Sequence, residues 1–300
     1  MQKNKHTLLL GAHMSIAQNF EHALQLGESI GCTAIQIFTK SNRQWVAKKI
    51  SDQQAASFHE ALKKTTIKSV ITHATYLINI GSPDSATSKK STAALIDELE
   101  RCALLTIPYL VLHPGASLKT NEQECLERIA DNINEALAKT PHTTNLLLET
   151  MAGQGSTIGN TFEQLALIRE KVETKSRLGI CFDTCHAFAA GYDFRTSQTY
   201  NKMWADFDAT IGLTNLKAMH LNDSKKELGS HVDRHDDIGK GQLGLKVFEL
   251  LVNDERFFDI PKILETPKTT GLLEDKKNME TIKSLISLKT RKALDMEESE

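Results

Sequence analysis

The chain has 300 residues, is 40% hydrophobic and carries a formal net charge of -2. This size supports a large buried core, and we expect a single domain over residues 1–300 with flexible ends at residues 1–6 and 290–300. The near-neutral charge excludes a chain that binds nucleic acid through its overall field, so such binding needs a local basic face. The first apolar run is too short for a signal peptide or a membrane span, which predicts a cytoplasmic protein.

The five cysteines indicate a reduced, intracellular protein, because an odd number in a chain of this length does not make a disulfide framework. Cys181 and Cys185 lie close together in the sequence. However, no second close pair completes a cysteine zinc site, so we expect metal ligands of other types.

Eight short apolar runs alternate with segments of helical spacing. Each run is nearly continuous, which is typical of a buried parallel strand. The runs are Thr7–Gly11, Ala34–Phe38, Ser69–Thr72, Tyr109–Leu112, Asn145–Leu148, Leu178–Phe182, Leu216–Met219 and Pro261–Leu264. Eight repeats over this length predict an α/β fold, a TIM (β/α)₈ barrel. An open doubly wound sheet is the alternative, although no GxGxxG turn follows the first run.

Seven of the predicted strands lead to a histidine, an aspartate or a glutamate. These residues are His13, His73, His113, Glu149, Asp183, His220 and Glu265. In a barrel they would converge on the C-terminal face, where the active sites of this fold lie. Burial of so many polar groups is costly unless they bind metal ions. The pattern therefore predicts a metal centre at this face.

Two further motifs extend this cluster. His186 follows Asp183 by three residues, and Asp233 and His235 lie in a polar loop after the seventh strand. An isolated DxH motif is more typical of a solvated loop, but beside the strand ends it is interpreted as an additional metal-binding arm. Histidines with carboxylates suit zinc, with manganese or iron as substitutes. So many candidate ligands exceed what one zinc ion can use and suit three ions. Multi-metal sites are typical of phosphoryl transfer, which predicts phosphodiester hydrolysis.

Several longer motifs resemble the endonuclease IV family. The similar segments are GAHMS, FTKSNRQW, THATYLINIG, LHPG, LLLETMAGQGSTIG, GICFDTCHAFAAGYD, MHLNDSK, GSHVDRHDDIGKGQLG and ILET. The resemblance runs from about residue 8 to residue 288, and DTCHAFAAGYD, HLNDSK and DRH in that order are its most specific parts.

The resemblance implies a TIM barrel with three Zn²⁺ ions that repairs DNA. It implies hydrolysis of the phosphodiester bond 5′ to abasic sites by metal-bound hydroxide, leaving a 3′-hydroxyl and a 5′-deoxyribose phosphate, and removal of 3′ blocking groups. By position, one zinc would be held by His73, His113 and Glu149. Glu149 would bridge to a second, completed by Asp183, His220 and Glu265, and the third would be held by His186, Asp233 and His235. Glu149 and Glu265 would also act as catalytic residues that orient the hydroxide.

The partner implied by the resemblance is damaged double-stranded DNA, and we expect a monomer. Arg43, Tyr76 and Leu77 would wedge into the duplex at the lesion, where a missing base lowers the cost of unstacking. Candidate DNA-backbone contacts are Lys40, Arg43, Lys225, Lys226 and Arg234. The sequence departs from the family pattern at Met151, His231 and Lys240, which leaves the details of the DNA-contact loops open.

Two other functions remain as alternatives. A xylose-isomerase-like sugar isomerase or epimerase would share the barrel and its strand-end ligands, but it needs neither wedging loops nor His186, Asp233 and His235. A DNA-damage binding protein with structural zinc would need closed four-ligand sites. Metal content separates the two enzymes, and nicking of abasic duplex separates the nuclease from the binding protein.

Overall fold

A computed structural model describes residues 6–118, 120–268, 271–294 and 296 of the chain. Eight parallel strands of this described part form a closed barrel in the order β1-β10-β7-β6-β5-β4-β3-β2. They are β1 (Leu10–His13), β2 (Ala34–Ile37), β3 (Ser69–His73), β4 (Tyr109–Leu112), β5 (Asn145–Glu149), β6 (Leu178–Asp183), β7 (Leu216–His220) and β10 (Lys262–Leu264). The closed barrel confirms the predicted TIM fold and excludes the open sheet.

The helices surround the barrel. They are α1 (Phe20–Ser29), α2 (Asp52–Lys63), α3 (Ser85–Leu104), α4 (Glu122–Ala138), α5 (Phe162–Lys171), α6 (Thr184–Ala190), α7 (Ser197–Thr210), α8 (Leu245–Val252), α9 (Leu273–Ser284) and α10 (Leu288–Ala293). Local chemistry sets where they begin: the Asn19 side chain accepts a hydrogen bond from the His22 amide at the start of α1, and Ser51 and Gln54 form a capping box on α2. A short antiparallel pair, β8 (Asp223–Ser224) and β9 (His235–Asp236), follows β7.

The first strand differs from the predicted run Thr7–Gly11. In the structure β1 begins at Leu10 and continues to His13, because Leu10 pairs with Lys262 and His13 pairs with Gln36. Before the strand, Leu9 accepts a hydrogen bond from the Lys262 amide at 2.9 Å. The predicted start was wrong because an apolar run shows burial, whereas the strand is defined by its pairing with both neighbours.

An apolar layer fills the middle of the barrel. It consists of Ala34, Ile71, Val111, Leu147, Cys181, Ala218 and Ile263, one residue from each of seven strands. Since side chains alternate along a strand, the residues two positions later also point into the barrel, one layer closer to its C-terminal face. The fold therefore places a second inward layer directly above this apolar floor.

The last helix, α10, covers residues 288–293, part of the flexible end expected from the sequence. Thr290 and Leu294 are buried, so residues 290–294 differ from that expectation. Residues 1–5 and 297–300 of the predicted ends, and Asp295, lie outside the described residues. Among the described helices, none combines the length and the apolar character that a membrane crossing requires.

Candidate metal centre

The second inward layer of the barrel is polar. Two positions after each residue of the apolar floor lies a member of this layer: Gln36, His73, His113, Glu149, Asp183, His220 and Glu265. His13 joins them from the end of β1, where it pairs with Gln36. The period of two along every strand thus brings the predicted ligands to one level of the barrel.

A first group of ligand atoms surrounds one oxygen of Glu149. His73 Nε2 lies 3.1 Å and His113 Nε2 lies 3.2 Å from Glu149 Oε2. Two donors about 2.1 Å from a tetrahedral zinc ion are about 3.4 Å apart, so these distances fit a shared ion. The structure brings together the residues predicted for the first metal.

A second group surrounds the other oxygen of Glu149. His220 Nδ1 lies 2.9 Å from Glu149 Oε1, 3.2 Å from Glu265 Oε2 and 3.8 Å from Asp183 Oδ2. Potential ligand atoms of these four residues all lie within 4.8 Å of one another. Glu149 therefore has one carboxylate oxygen in each group, which is the arrangement that a bridging ligand needs.

The third group lies at the edge of the layer. His186 Nε2 is 3.2 Å from Asp233 Oδ2, and His235 Nε2 is 3.4 Å from Asp233 Oδ1. Asp183 approaches the same group, with its Oδ2 atom 3.7 Å from His235 Nε2. The Cys185 side chain also lies within 4.8 Å of the ligand atoms of Asp233 and His235. Helix α6 supplies His186, the loop between β8 and β9 supplies Asp233, and β9 supplies His235.

The surrounding imidazoles hold the carboxylates of Glu149, Glu265 and Asp233 in their charged form. Burial raises the pKa of Glu149, but the charges of His220 and His113 outweigh this effect and hold it well below the ordinary value. Burial also raises the pKa of Glu265 and Asp233, yet the neighbouring histidines bring both to about 2. The centre is thus a concentrated negative site that requires positive charge, from protons or from bound cations.

Two histidine nitrogens of the described residues that make no hydrogen bond show that the residues fit metal ions. His186 Nε2 and His235 Nε2 are buried and make no hydrogen bond within the described part of the chain, although carboxylate oxygens lie close by. In both rings the other nitrogen, Nδ1, faces a backbone carbonyl, that of Thr150 at 2.9 Å and that of Glu265 at 3.1 Å respectively. A histidine that binds a metal ion through one ring nitrogen usually donates a hydrogen bond from the other, often to a backbone carbonyl. The two rings have this arrangement, with Nδ1 at the carbonyl and Nε2 available to a metal ion.

Neighbouring polar groups fix the carboxylates in place. Asn222 donates to Asp183 Oδ2 at 2.7 Å, and its own carbonyl oxygen accepts from the Glu265 amide at 2.8 Å. Thr150 Oγ1 accepts from the Asp183 amide at 2.9 Å. These contacts connect the ends of β6 and β10 and orient their carboxylates toward the centre.

Gln36 is a site residue that the sequence analysis missed. Its side chain is buried in the polar layer, within hydrogen-bonding distance of His13, His220 and Glu265. The signal was present, because a glutamine interrupts the apolar run at the inward position two residues after Ala34. His13 lies beside it, and burial lowers the pKa of its imidazole to about 3.

The residues predicted to contact DNA lie at the rim of this face. Tyr76 is 55% exposed, and its ring centroid lies 5.2 Å from that of His73 and 5.4 Å from that of His113, which places it at the mouth of the centre. Leu77 is half-buried and Arg43 is exposed. Thr75 Oγ1 donates to the Asn42 carbonyl at 2.6 Å and so joins the two loops. Beside Tyr76 and Glu265 opens a cavity of about 520 Å³.

The structure contradicts one predicted backbone contact. The Lys40 side chain is only 1% exposed and its Nζ atom lies 2.5 Å from Asp97 Oδ2 and 3.5 Å from Glu98 Oε1. It is occupied inside the protein and is not available to a DNA phosphate. Lys225, Lys226 and Arg234 are exposed.

The three departures from the family pattern lie in loops. Met151 is buried and follows β5. His231 has a left-handed backbone, with a φ of 53°, and its Nδ1 atom lies 3.1 Å from the Ala152 carbonyl. Lys240 is exposed. None of these three residues belongs to a ligand group in the described part of the chain.

Known proteins resemble this chain over nearly its whole length. The family described as xylose isomerase-like TIM barrel matches residues 24–288. A Chloroflexus aurantiacus protein named "Probable endonuclease 4" is 49% identical over 277 residues, which are 92% of this chain and 97% of the relative. The structure of endonuclease IV from Thermus thermophilus has a TM-score of 0.81 and 32% identity, covering 92% of this chain and 98% of that one. A D-tagatose 3-epimerase-like protein shares the fold, with a TM-score of 0.71, 20% identity and coverage of 92% and 96%.

Proposed function

The chain belongs to the endonuclease IV family, and we therefore propose that it is a DNA-repair endonuclease acting at abasic sites. It hydrolyses the phosphodiester bond on the 5′ side of the lesion, leaving a 3′-hydroxyl and a 5′-deoxyribose phosphate, and it removes 3′ blocking groups. The observation that carries this proposal is the set of adjacent ligand groups joined through Glu149 and Asp183 at the C-terminal face of the barrel.

Three zinc ions are the proposed cofactors, with Mn²⁺ or Fe²⁺ as substitutes. His73, His113 and Glu149 would hold one ion, and Glu149, Asp183, His220 and Glu265 a second. His186, Asp233 and His235 would hold the third. Bound there, such ions lower the pKa of water and neutralise charge on a phosphate. The mixture of imidazole and carboxylate donors supports this assignment.

Side chains of the protein orient the water molecule and contact the DNA. Glu149 and Glu265 orient the attacking water, because their oxygens line the centre of the polar layer. Tyr76 and Leu77 enter the duplex at the lesion, and the exposed Arg43 contacts the DNA strand. The link between Thr75 and Asn42 keeps the two loops that carry these residues together.

The test is an incision assay on a duplex with one abasic site, in magnesium-free buffer containing EDTA, with metal content measured on the same sample. We expect incision 5′ to the lesion and about three zinc ions per chain. No incision, with one or two ions bound, would point instead to sugar isomerisation, which the shared fold permits.

The variant Glu149→Ala sharpens this assay. Because Glu149 contributes an oxygen to two ligand groups, its loss should remove one or more metals and reduce incision more than about 100-fold. Circular dichroism should show a folded barrel. The exposed Glu163→Ala on α5 is the matched control and should behave as the wild type. Near-normal cleavage by Glu149→Ala would contradict the bridging role.

A further inference from the structure

Gln36 lies at the point where β1, β2, β7 and β10 bring their polar side chains together. Its Nε2 atom donates to Glu265 Oε1 at 2.6 Å and lies 3.0 Å from His13 Nδ1. Its Oε1 atom lies 2.8 Å from His220 Nε2. The amide is fully buried, so these partners satisfy it without water.

The orientation of this amide follows from its partners. A carboxylate oxygen only accepts hydrogen bonds, so the group that faces Glu265 at 2.6 Å must be the NH₂ of Gln36. The carbonyl oxygen of the amide then faces His220 Nε2, which must carry a hydrogen to donate. His220 is therefore fixed with its Nδ1 atom directed at Glu149 and Glu265.

The posture of His220 is opposite to that of other histidines in the centre. His73, His186 and His235 place Nδ1 against backbone carbonyls, at 2.7, 2.9 and 3.1 Å, and direct Nε2 at the carboxylates of Glu149 or Asp233. Of these three rings, His186 also has its Nδ1 atom 3.3 Å from Glu149 Oε1. His220 directs Nδ1 inward, and its outer nitrogen meets the side chain of Gln36 instead of a carbonyl. The hydrogen bond that orients this one ring thus depends on the identity of a single side chain.

We propose that Gln36 is a positioning residue that fixes the ring of His220 and the carboxylate of Glu265 as ligands of one metal ion. This inference rests on the proposed function, since it assumes that the second ligand group holds a metal. Partners of this kind typically contribute 10- to 100-fold in metal affinity. The substitution Gln36→Met keeps the size of the side chain but removes the donor to Glu265 and replaces a strong acceptor by a weak one.

The first test compares zinc affinity, by competition with a chromophoric chelator, in wild type, Gln36→Met and Gln164→Met. Gln164 is the matched control, because it is also buried and its Oε1 atom accepts from two backbone amides on a loop, at 2.7 and 3.2 Å. We expect Gln36→Met to bind one zinc about 10- to 100-fold more weakly, with the other ions unaffected. Added zinc should restore its incision activity. Gln164→Met should keep the wild-type affinity.

The second test needs no variant. Two-bond ¹H–¹⁵N spectra of the zinc-loaded protein should show His220 bound through Nδ1 and protonated at Nε2, with the reverse pattern for His73, His186 and His235. Coordination of His220 through Nε2, or wild-type zinc affinity in Gln36→Met, would overturn the inference.

The outcomes separate this inference from the proposed function. A wild-type protein that incises abasic duplex while Gln36→Met retains every zinc ion would overturn the positioning role alone. If wild type binds zinc without incision and Gln36→Met loses an ion, the positioning role stands and the proposed function fails. A wild-type protein that binds no zinc overturns both.

Discussion

Lys262 is a charged residue placed where water cannot reach it. Its ammonium group donates to the carbonyls of Phe257 and Ile260, at 2.5 and 2.9 Å, near the N-terminal end of β10. Burial lowers the pKa of Lys262 from 10.5 to about 7. The unfolded chain therefore binds the proton more tightly than the folded protein between these two pH values. Below pH 7 the buried charge lowers the free energy of unfolding by its full amount. This loss of stability disappears as the pH rises from about 7 toward 10.5.

The resulting prediction concerns the free energy of unfolding. Between about pH 7 and pH 8.5 it should rise in the wild type by on the order of 1 kcal/mol per pH unit more than in Lys262→Met. Unfolded cysteines have an ordinary pKa of about 8.5, at the upper edge of this range, and their raised pKa in the fold acts in the opposite direction. The wild type and Lys262→Met share this effect, so it cancels in the comparison. Urea denaturation at several pH values measures the effect, and Lys63→Met, on a side chain that is 70% exposed, is the control. Parallel curves for wild type and Lys262→Met would contradict the assignment.

For individual residues, the type of side chain and its position in the sequence predicted some roles correctly and others not. Strand-end histidines and carboxylates could be recognised because their inward position follows from the period of two along a strand. Lys40 was misread because a lysine after a strand indicates only a charge, while its ion pair with Asp97 depends on a distant helix. Gln36 was missed because an uncharged side chain inside an apolar run gives no sign of a function in the sequence. Its hydrogen-bond partners, His13, His220 and Glu265, lie on or at the end of three other strands.

Among the elements, helix α3 supports the loop that carries Arg43. Arg101 donates to the Thr39 carbonyl at 2.7 Å and to the Lys48 carbonyl at 2.9 Å. The guanidinium therefore ties both ends of the segment 39–48 to α3, with Arg43 near its middle. The rigid, planar guanidinium of arginine can donate hydrogen bonds to two carbonyls at once, whereas a methionine side chain can donate to neither.

The variant Arg101→Met should weaken substrate binding rather than chemistry. We expect the KM for abasic duplex to rise roughly tenfold, because the loop must be ordered when DNA binds, while kcat and zinc content stay near wild type. Steady-state kinetics with metal analysis test this. The control is Arg177→Met, since Arg177 is also buried and bonds the Leu137 and Thr144 carbonyls, at 2.7 and 2.9 Å, before β6 begins. An equal rise in KM in both variants would show only a general loss of stability.

The elements themselves were largely predictable. Most predicted strands agree with the structure within one residue at each end, because buried parallel strands are short continuous apolar runs. The loops were not predictable in this way. The pairing of β8 with β9, which presents Asp233 and His235 to His186, depends on backbone contacts between Ser224 and His235 that leave no periodic pattern in the sequence.

For the whole molecule, barrel closure converts separate strand ends into one centre. The sequence predicted that seven polar residues would share the C-terminal face, and the closed order of strands provides the reason. The division of these residues into groups could not be derived from spacing alone. It depends on the stagger of the strands, which sets Glu149 opposite Cys181 and Asp183 opposite His220.

Since the ligand groups draw on strands around most of the barrel, metal binding should stabilise the whole fold. Removal of the ions by a strong chelator at elevated temperature, followed by desalting, should lower Tm by about 5–10 °C for each ion that was present at about 1,000 times its Kd. Differential scanning calorimetry before and after chelation measures the change, and added zinc should reverse it. Glu149→Ala should show a smaller shift, because both ligand groups to which Glu149 contributes are already incomplete in this variant. An unchanged Tm after complete removal of the metals would mean that contacts such as those of Asn222 and Thr150 hold the centre without them. The ions would then serve chemistry alone.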